Sequence, residues 1–241
     1  MTRAVVVLVV ASACGSKPAP PPAPPSHVEP IAKRVPIEDT EPDDNVQVQY
    51  AHGHMEQDAI NSGLQQHTEE LSDCYTQQVD KRKWLGGHVV LHWDVKADGD
   101  ITSVKVSESD LGAWPIEKCL LDSARSMTFG KPVGGAADFT IPLEFTLKGG
   151  SADAWDDDRT IKAIGKQLAK LDACGKGGEP VPNEVTVTFY VGARGVVQSV
   201  GFSSPKSEIT DKWSDCAVKA AMAWKLPDPR GQVAKLAVRY R

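Results

Sequence analysis

Two stretches decide the fold: VVLHWDVKADGDITSVKV, from Val89 to Val106, and VTVTFYVGARGVVQSVGF, from Val185 to Phe202. They align without a gap, 96 positions apart. Each opens with strict alternation. Val89, Leu91, Trp93 and Val95 share one face, and Val185, Val187, Phe189 and Val191 match them. Successive side chains of a strand point to opposite sides, so this period of two marks a half-buried strand. Asp98-Gly99 and Arg194-Gly195 then supply a tight turn, with glycine free to take positive φ. A second strand follows, carrying Val104 and Val106 in one copy and Val200 and Phe202 in the other. Each stretch therefore predicts a β-hairpin with one apolar face.

Helical patterns flank both hairpins, and each holds a cysteine. Upstream, Ile60, Leu64, Leu71 and Cys74 fall on one helical face, as do Ile161, Ile164, Leu168, Leu171 and Cys174. Downstream lie PIEKCLLDSARSMTF with Cys119 and KWSDCAVKAAMAWKL with Cys216. Aligning these cysteines pairs Met127 with Trp224 and Phe129 with Leu226, and Pro132 and Pro229 close the two helix regions. A last alternating strand follows: Phe139, Ile141, Leu143, Phe145 and Leu147 in the first copy, Leu236, Val238 and Tyr240 in the second. The expected fold is α+β: two tandem α-β-β-α-β units, at 51–148 and 149–241. A right-handed crossover places the third strand beside the first. Each unit would then be a three-stranded antiparallel sheet of order 2-1-3 with its helices on one face. Pro142 fits an edge position for the third strand.

The N-terminus carries a different message. Residues 1–13 read as a secretory signal: Arg3, an apolar run from Ala4 to Ala11, then small residues. Ala11-Ser12-Ala13-Cys14 resembles the bacterial lipobox, with a departure at Ala11, where a larger aliphatic residue is usual. The resemblance implies that Cys14 is lipidated and becomes the first mature residue. The alternative is an ordinary signal cleaved near Ala13. Residues 14–50 read as a tether, proline-rich over SKPAPPPAPPSHVEP and acidic and aperiodic afterwards. Its proline-rich part would extend to about 40 Å as polyproline II. No apolar run reaches the ~18 residues of a membrane span. The expected localisation is the bacterial envelope: an outer-membrane lipoprotein facing the periplasm or exposed at the surface, held to the membrane only by its lipid.

Once Cys14 is set aside, four of the 5 cysteines remain. An oxidising compartment favours disulfides, and each unit offers one pair, Cys74–Cys119 and Cys174–Cys216. Either bridge would tie an upstream helix to a downstream one. Metal binding and redox chemistry are the alternatives, but no CxxC and no zinc spacing occurs. His88 and His92 lie four residues apart on a strand, about 13 Å, too far to share an ion. No metal site and no cofactor are expected. Asp156-Asp157-Asp158 suits the first turn of a helix better than a calcium loop. Nucleophilic triads, paired catalytic carboxylates and phosphate loops have no local signature here, so no enzyme is expected.

The ordered set of features resembles a known family. Leu71-x-x-Cys74-Tyr75, Gly86, Gly99, Cys119 and Met127-x-Phe129-x-x-Pro132 carry the likeness in the first unit. Leu171-x-x-Cys174, Gly195, Cys216, Trp224-x-Leu226 and Pro229 carry it in the second, which lacks an aromatic after Cys174. Each unit resembles the C-terminal domain of the energy-transducing protein TonB, and more closely the version in myxobacterial gliding-motility proteins of the AgmX/PglI type. The resemblance implies a non-enzymatic envelope domain that binds other proteins, in some relatives by adding a partner strand to a sheet edge. The edge residues singled out for that role are Val104, Val106, Val200, Phe202, Phe145 and Val238. Peptidoglycan or another wall polymer is the alternative ligand.

Charge separates the two units. The overall net charge of −5 hides 15 acidic and 9 basic side chains in 51–148 against 11 acidic and 14 basic in 149–241. The acidic balance argues against nucleic acid as a partner. Opposite signs allow contact between the two units, or separate steering of two partners, which would be envelope proteins of unknown identity.

Overall fold

The structure is a computed structural model that describes residues 52–80, 82–150, 152–155, 158–176 and 179–240. The stretch read as a signal, Cys14 and the stretch read as a tether lie outside the described residues. The described residues fall in one compact unit, Val48–Arg241. Among the described residues no helix is long and apolar enough to cross a membrane.

The chain runs α1 (Gln57–Gln65), α2 (Thr68–Val79), β1 (Gly87–Val95), β2 (Ile101–Ser109), α3 (Trp114–Ser126) and β3 (Ala137–Phe145). It continues through β4 (Asp153–Ala154), α4 (Asp158–Leu168), a 3₁₀ stretch (Ala169–Gly175), β5 (Val185–Gly192), β6 (Val196–Ser203), α5 (Asp211–Met222) and β7 (Ala234–Tyr240). The class is α+β. The first sheet is antiparallel with order β2-β1-β3. The second has four strands, β4-β7-β5-β6, where three were expected. Its extra member, β4, pairs parallel with Ala234 and Lys235 of β7. Two residues with no alternation give no strand signal, so β4 is defined only by the partner that accepts it.

Alternation settles which side of each strand is buried. Val89, Leu91, Trp93 and Val95 of β1 are 3% exposed or less, and Val185, Val187, Phe189 and Val191 of β5 are fully buried. Trp93 stacks on Phe139 at 5.2 Å and meets Phe129 edge-on at 5.6 Å. Phe189 meets Trp224 at 5.6 Å in the second sheet. Burying an aromatic of this size contributes roughly 4–6 kcal/mol of transfer free energy as an upper figure. The hairpin turn of the second sheet depends on glycine. Gly195 has φ +70°, and a Cβ there would sit 1.7 Å from the Leu226 carbonyl oxygen.

The upstream helices depart from expectation in two ways. The first is two helices, because the chain turns at Gln66-His67, where His67 takes φ −114° and ψ 5°. The His67 N–H and the Thr68 hydroxyl both donate to the Leu64 carbonyl, which closes α1 and frees the chain to restart. The second helix ends at Leu168 and tightens into the 3₁₀ stretch that carries Leu171 and Cys174. Ile161, expected on its buried face, is exposed. Cys74 and Cys119 are disulfide-bonded with Cα atoms 5.6 Å apart, and Cys174 and Cys216 with Cα atoms 5.7 Å apart. The bridges tie α2 to α3 and the 3₁₀ stretch to α5.

Candidate functional site

The two sheets meet through the strands that had been expected to offer free edges. β2 and β6 touch, and the Ser204 N–H donates to the Val106 carbonyl at 2.9 Å. The Phe202 N–H donates at 2.9 Å to a carboxylate oxygen of Glu117. Val104, Val106, Val200 and Phe202 are all 4% exposed or less. Their side chains belong to the core, and the backbone beside Val106 and Phe202 is already bonded to the opposite half. The four side chains are therefore not exposed for docking, and at Val106 and Phe202 the backbone is bonded to the opposite half.

Glu117 is the centre of this joint. It is fully buried in the first turn of α3 and also accepts from the Ser109 hydroxyl at 2.8 Å. Burial pushes its carboxyl up to about 7, against hydrogen bonds from Phe202, Ser109 and the backbone of Ala113 and Gly112 that favour the charged form. Gly201 makes the contact possible, since a Cβ there would lie 2.4 and 2.5 Å from the two carboxylate oxygens. Further bonds cross the joint: Ser199 Oγ to the Gly112 carbonyl at 2.7 Å and the Tyr190 hydroxyl to the Gly86 carbonyl at 3.1 Å. Burial raises Tyr190 as well. Charge pairing frames it. Lys118 meets Asp215 at 3.1 Å and Asp211 at 3.5 Å, Arg125 meets Glu208 at 3.4 Å, and Lys235 meets Asp110 at 3.0 Å. Most of these run from a cation of the acidic half to a carboxylate of the basic half, so local placement rather than net charge shapes the contact.

The open edge is β3. Among the described residues it pairs only with β1. Pro142 has no N–H, and a strand holds such a residue with its nitrogen turned to the unpaired side. Alternation then turns the backbone of Thr140 and Glu144 the same way. Beside the last residues of β3 runs an apolar groove of about 440 Å³, floored by Leu64, Leu71, Tyr75, Leu143 and Phe145. Tyr75 packs its ring 4.9 Å from Phe145, and its hydroxyl lies 2.8 Å from both the Leu85 and the Thr146 carbonyls. Phe145 is half-buried and lines the groove. Val238, the last of the six edge residues, is half-buried on β7, where β4 covers the neighbouring edge at Ala234 and Lys235.

The remaining polar candidates are separate. His88 contacts Glu108 at 3.3 Å and Asp110 at 3.1 Å, while His92 contacts Asp94 at 3.2 Å. His54 bridges to Val133 and contacts Glu56 at 3.0 Å. No group of three or more His, Cys, Asp or Glu among the described residues is placed to hold a metal ion. A polar cleft of about 370 Å³ lies between the sheets, lined by His88, Glu108, Glu184 and Arg239 among others. Sequence reading missed Glu117 and the role of Tyr75 as a groove wall. Nothing local marks Glu117, whose importance comes from a strand 85 residues away. Tyr75 had a signal, an aromatic directly after the cysteine that the second half lacks.

No protein-family model, no curated protein and no solved structure matches this chain.

Proposed function

We propose that the chain is a non-enzymatic envelope lipoprotein, anchored through Cys14, whose two TonB-like modules form a protein-binding scaffold. The observation that carries the reading is the pairing of an open strand edge, β3, with an apolar groove alongside it. An extended segment bonded to the β3 backbone would lay alternate side chains into that groove, the mode known as strand addition. The proline tether read from the sequence would hold the modules away from the membrane. Lipidation is tested by palmitate labelling, which Cys14→Ser abolishes if the reading holds.

The binding edge is tested by crosslinking and capture from the native envelope with Glu144→Pro. That substitution removes one outward N–H and leaves the β1 side of the strand unaltered. Capture of partners falls while the melting temperature stays within a few degrees of the parent; equal capture by the variant refutes strand addition at β3. Wall-polymer binding is the second reading, and the polar cleft with His88, Glu184 and Arg239 supplies its observation. Sedimentation with purified sacculi, lost in Arg239→Ala and retained in Glu144→Pro, would favour it.

A further inference from the structure

The charges along β3 narrow the chemistry of what it can accept. Asp138, Thr140, Pro142 and Glu144 alternate on its solvent face, and all four are exposed. Among the described residues no cation pairs with Asp138 or Glu144, although Lys118, Arg125, Lys148 and Lys235 all find carboxylates elsewhere. Beside Asp138, at the paired position of β1, stands another carboxylate, Asp94. Opposite Glu144 stands His88, already engaged with Glu108 and Asp110. The two β3 carboxylates are six residues apart, about 20 Å along the strand.

An edge of this kind repels copies of itself. Two β3 strands paired with each other would bring carboxylates together and set a proline against the ladder. The same features select a partner, because like charges across a strand pair are unfavourable and opposite charges favourable. Resting on the strand-addition reading, we infer that the partner of β3 is an extended peptide segment in which apolar side chains alternate with lysine or arginine. The apolar positions fill the groove over Leu71, Leu143 and Phe145. The basic positions lie on the outer face against Asp138 and Glu144.

The test is selection from a displayed library of nine-residue segments with alternate positions fixed as valine or leucine and the others randomised. The full chain selects segments rich in lysine and arginine at the random positions. The double variant Asp138→Lys, Glu144→Lys selects aspartate and glutamate instead. A synthetic peptide of the selected basic sequence binds the double variant about tenfold more weakly, as expected for two cross-strand pairs turned from attraction to repulsion. Segments selected without charge bias, yet lost on Glu144→Pro, overturn this inference and leave strand addition standing. Selected segments indifferent to both variants, or none above background, overturn strand addition and this inference together.

Discussion

The two sheets share the order strand, strand, helix, strand, yet their third strands face the surroundings differently. β3 is open and flanked by a groove, whereas β7 is covered at its first residues by β4. The position after the first cysteine of each half shows how the contrast arises. In the first half it is Tyr75, whose ring and hydroxyl wall the groove. In the second it is Gly175, and a Cβ there would lie 2.1 Å from a Val181 side-chain carbon. Val181, ahead of β5, thus packs directly against that position. The joint is equally one-sided. Glu117 aligns with Ser214 when the helix cysteines are matched; both are buried, but only the first is a carboxylate and only it reaches across to the other sheet. The same strand order can therefore carry an open surface in one half and a filled one in the other, with a few side chains deciding which.

The largest effect that would break this comparison is loss of a bridge. The two disulfides close spans of 45 and 42 residues, so chain entropy predicts nearly equal contributions. Replacing both cysteines of either pair by alanine should cost about 2–5 kcal/mol in denaturant unfolding. Removing Cys74–Cys119 should also weaken the groove, since α2 carries Leu71 and Tyr75. Equal effects of the two pairs on partner binding would mean that the groove does not depend on its own half.

Next in size is the joint. Glu117→Ala leaves the Phe202 N–H and the Ser109 hydroxyl buried without their acceptor, a loss of about 2–4 kcal/mol by chemical denaturation. Ser214→Ala should change stability by less than about 1 kcal/mol, because its hydroxyl has no hydrogen-bond partner among the described residues. The pH response has a definite sign. The Glu117 carboxyl is raised from 4.5 to about 7, so the folded protein holds this proton more tightly than the unfolded chain. Its contribution is fully present below pH 4.5 and is lost as pH rises through about 7. Glu117→Gln should flatten that segment of the stability profile measured by thermal melts between pH 4.5 and 8. A variant with the parent's slope would show that another group titrates there.

The hairpin turns supply a finer contrast. Gly195→Ala places a methyl against the Leu226 carbonyl oxygen at 1.7 Å, whereas Gly99→Ala meets the Gly130 carbonyl oxygen at 2.9 Å. Both positions have positive φ, so both substitutions destabilise, by about 1–3 kcal/mol, with Gly195 the worse. Comparable melting temperatures for the two variants would contradict the tighter approach in the second half. Tyr75→Phe, which keeps the ring and removes one hydroxyl donor, should cost about 1 kcal/mol in the same unfolding assay.

Much of this architecture is legible in residue order. Period-two alternation in Val89–Val95 and Val185–Val191 is a property of neighbouring residues, so it places the hairpins and their buried sides without any knowledge of partners. The cysteines could be paired because each lies on a helix beside its own hairpin, and Pro142 pointed to an edge. The break between α1 and α2, by contrast, carries no glycine or proline to announce it. Leu64 and Leu71 keep one helical rhythm across it while His67 leaves helical geometry.

Residue order alone placed every strand but β4, together with their inward faces, the β2-β1-β3 order and the cysteine pairs. All of these follow from short-range patterns and the few ways a hairpin and a crossover can pack. Which edges remain free depends on packing between the sheets. Val106 and Phe202 looked as available as Phe145, because an edge strand has the same alternation whether or not another element lies against it. Occupancy rests on contacts between residues as distant as Glu117 and Phe202, whose buried hydrogen bond exists only once both sheets are formed and Gly201 leaves it room.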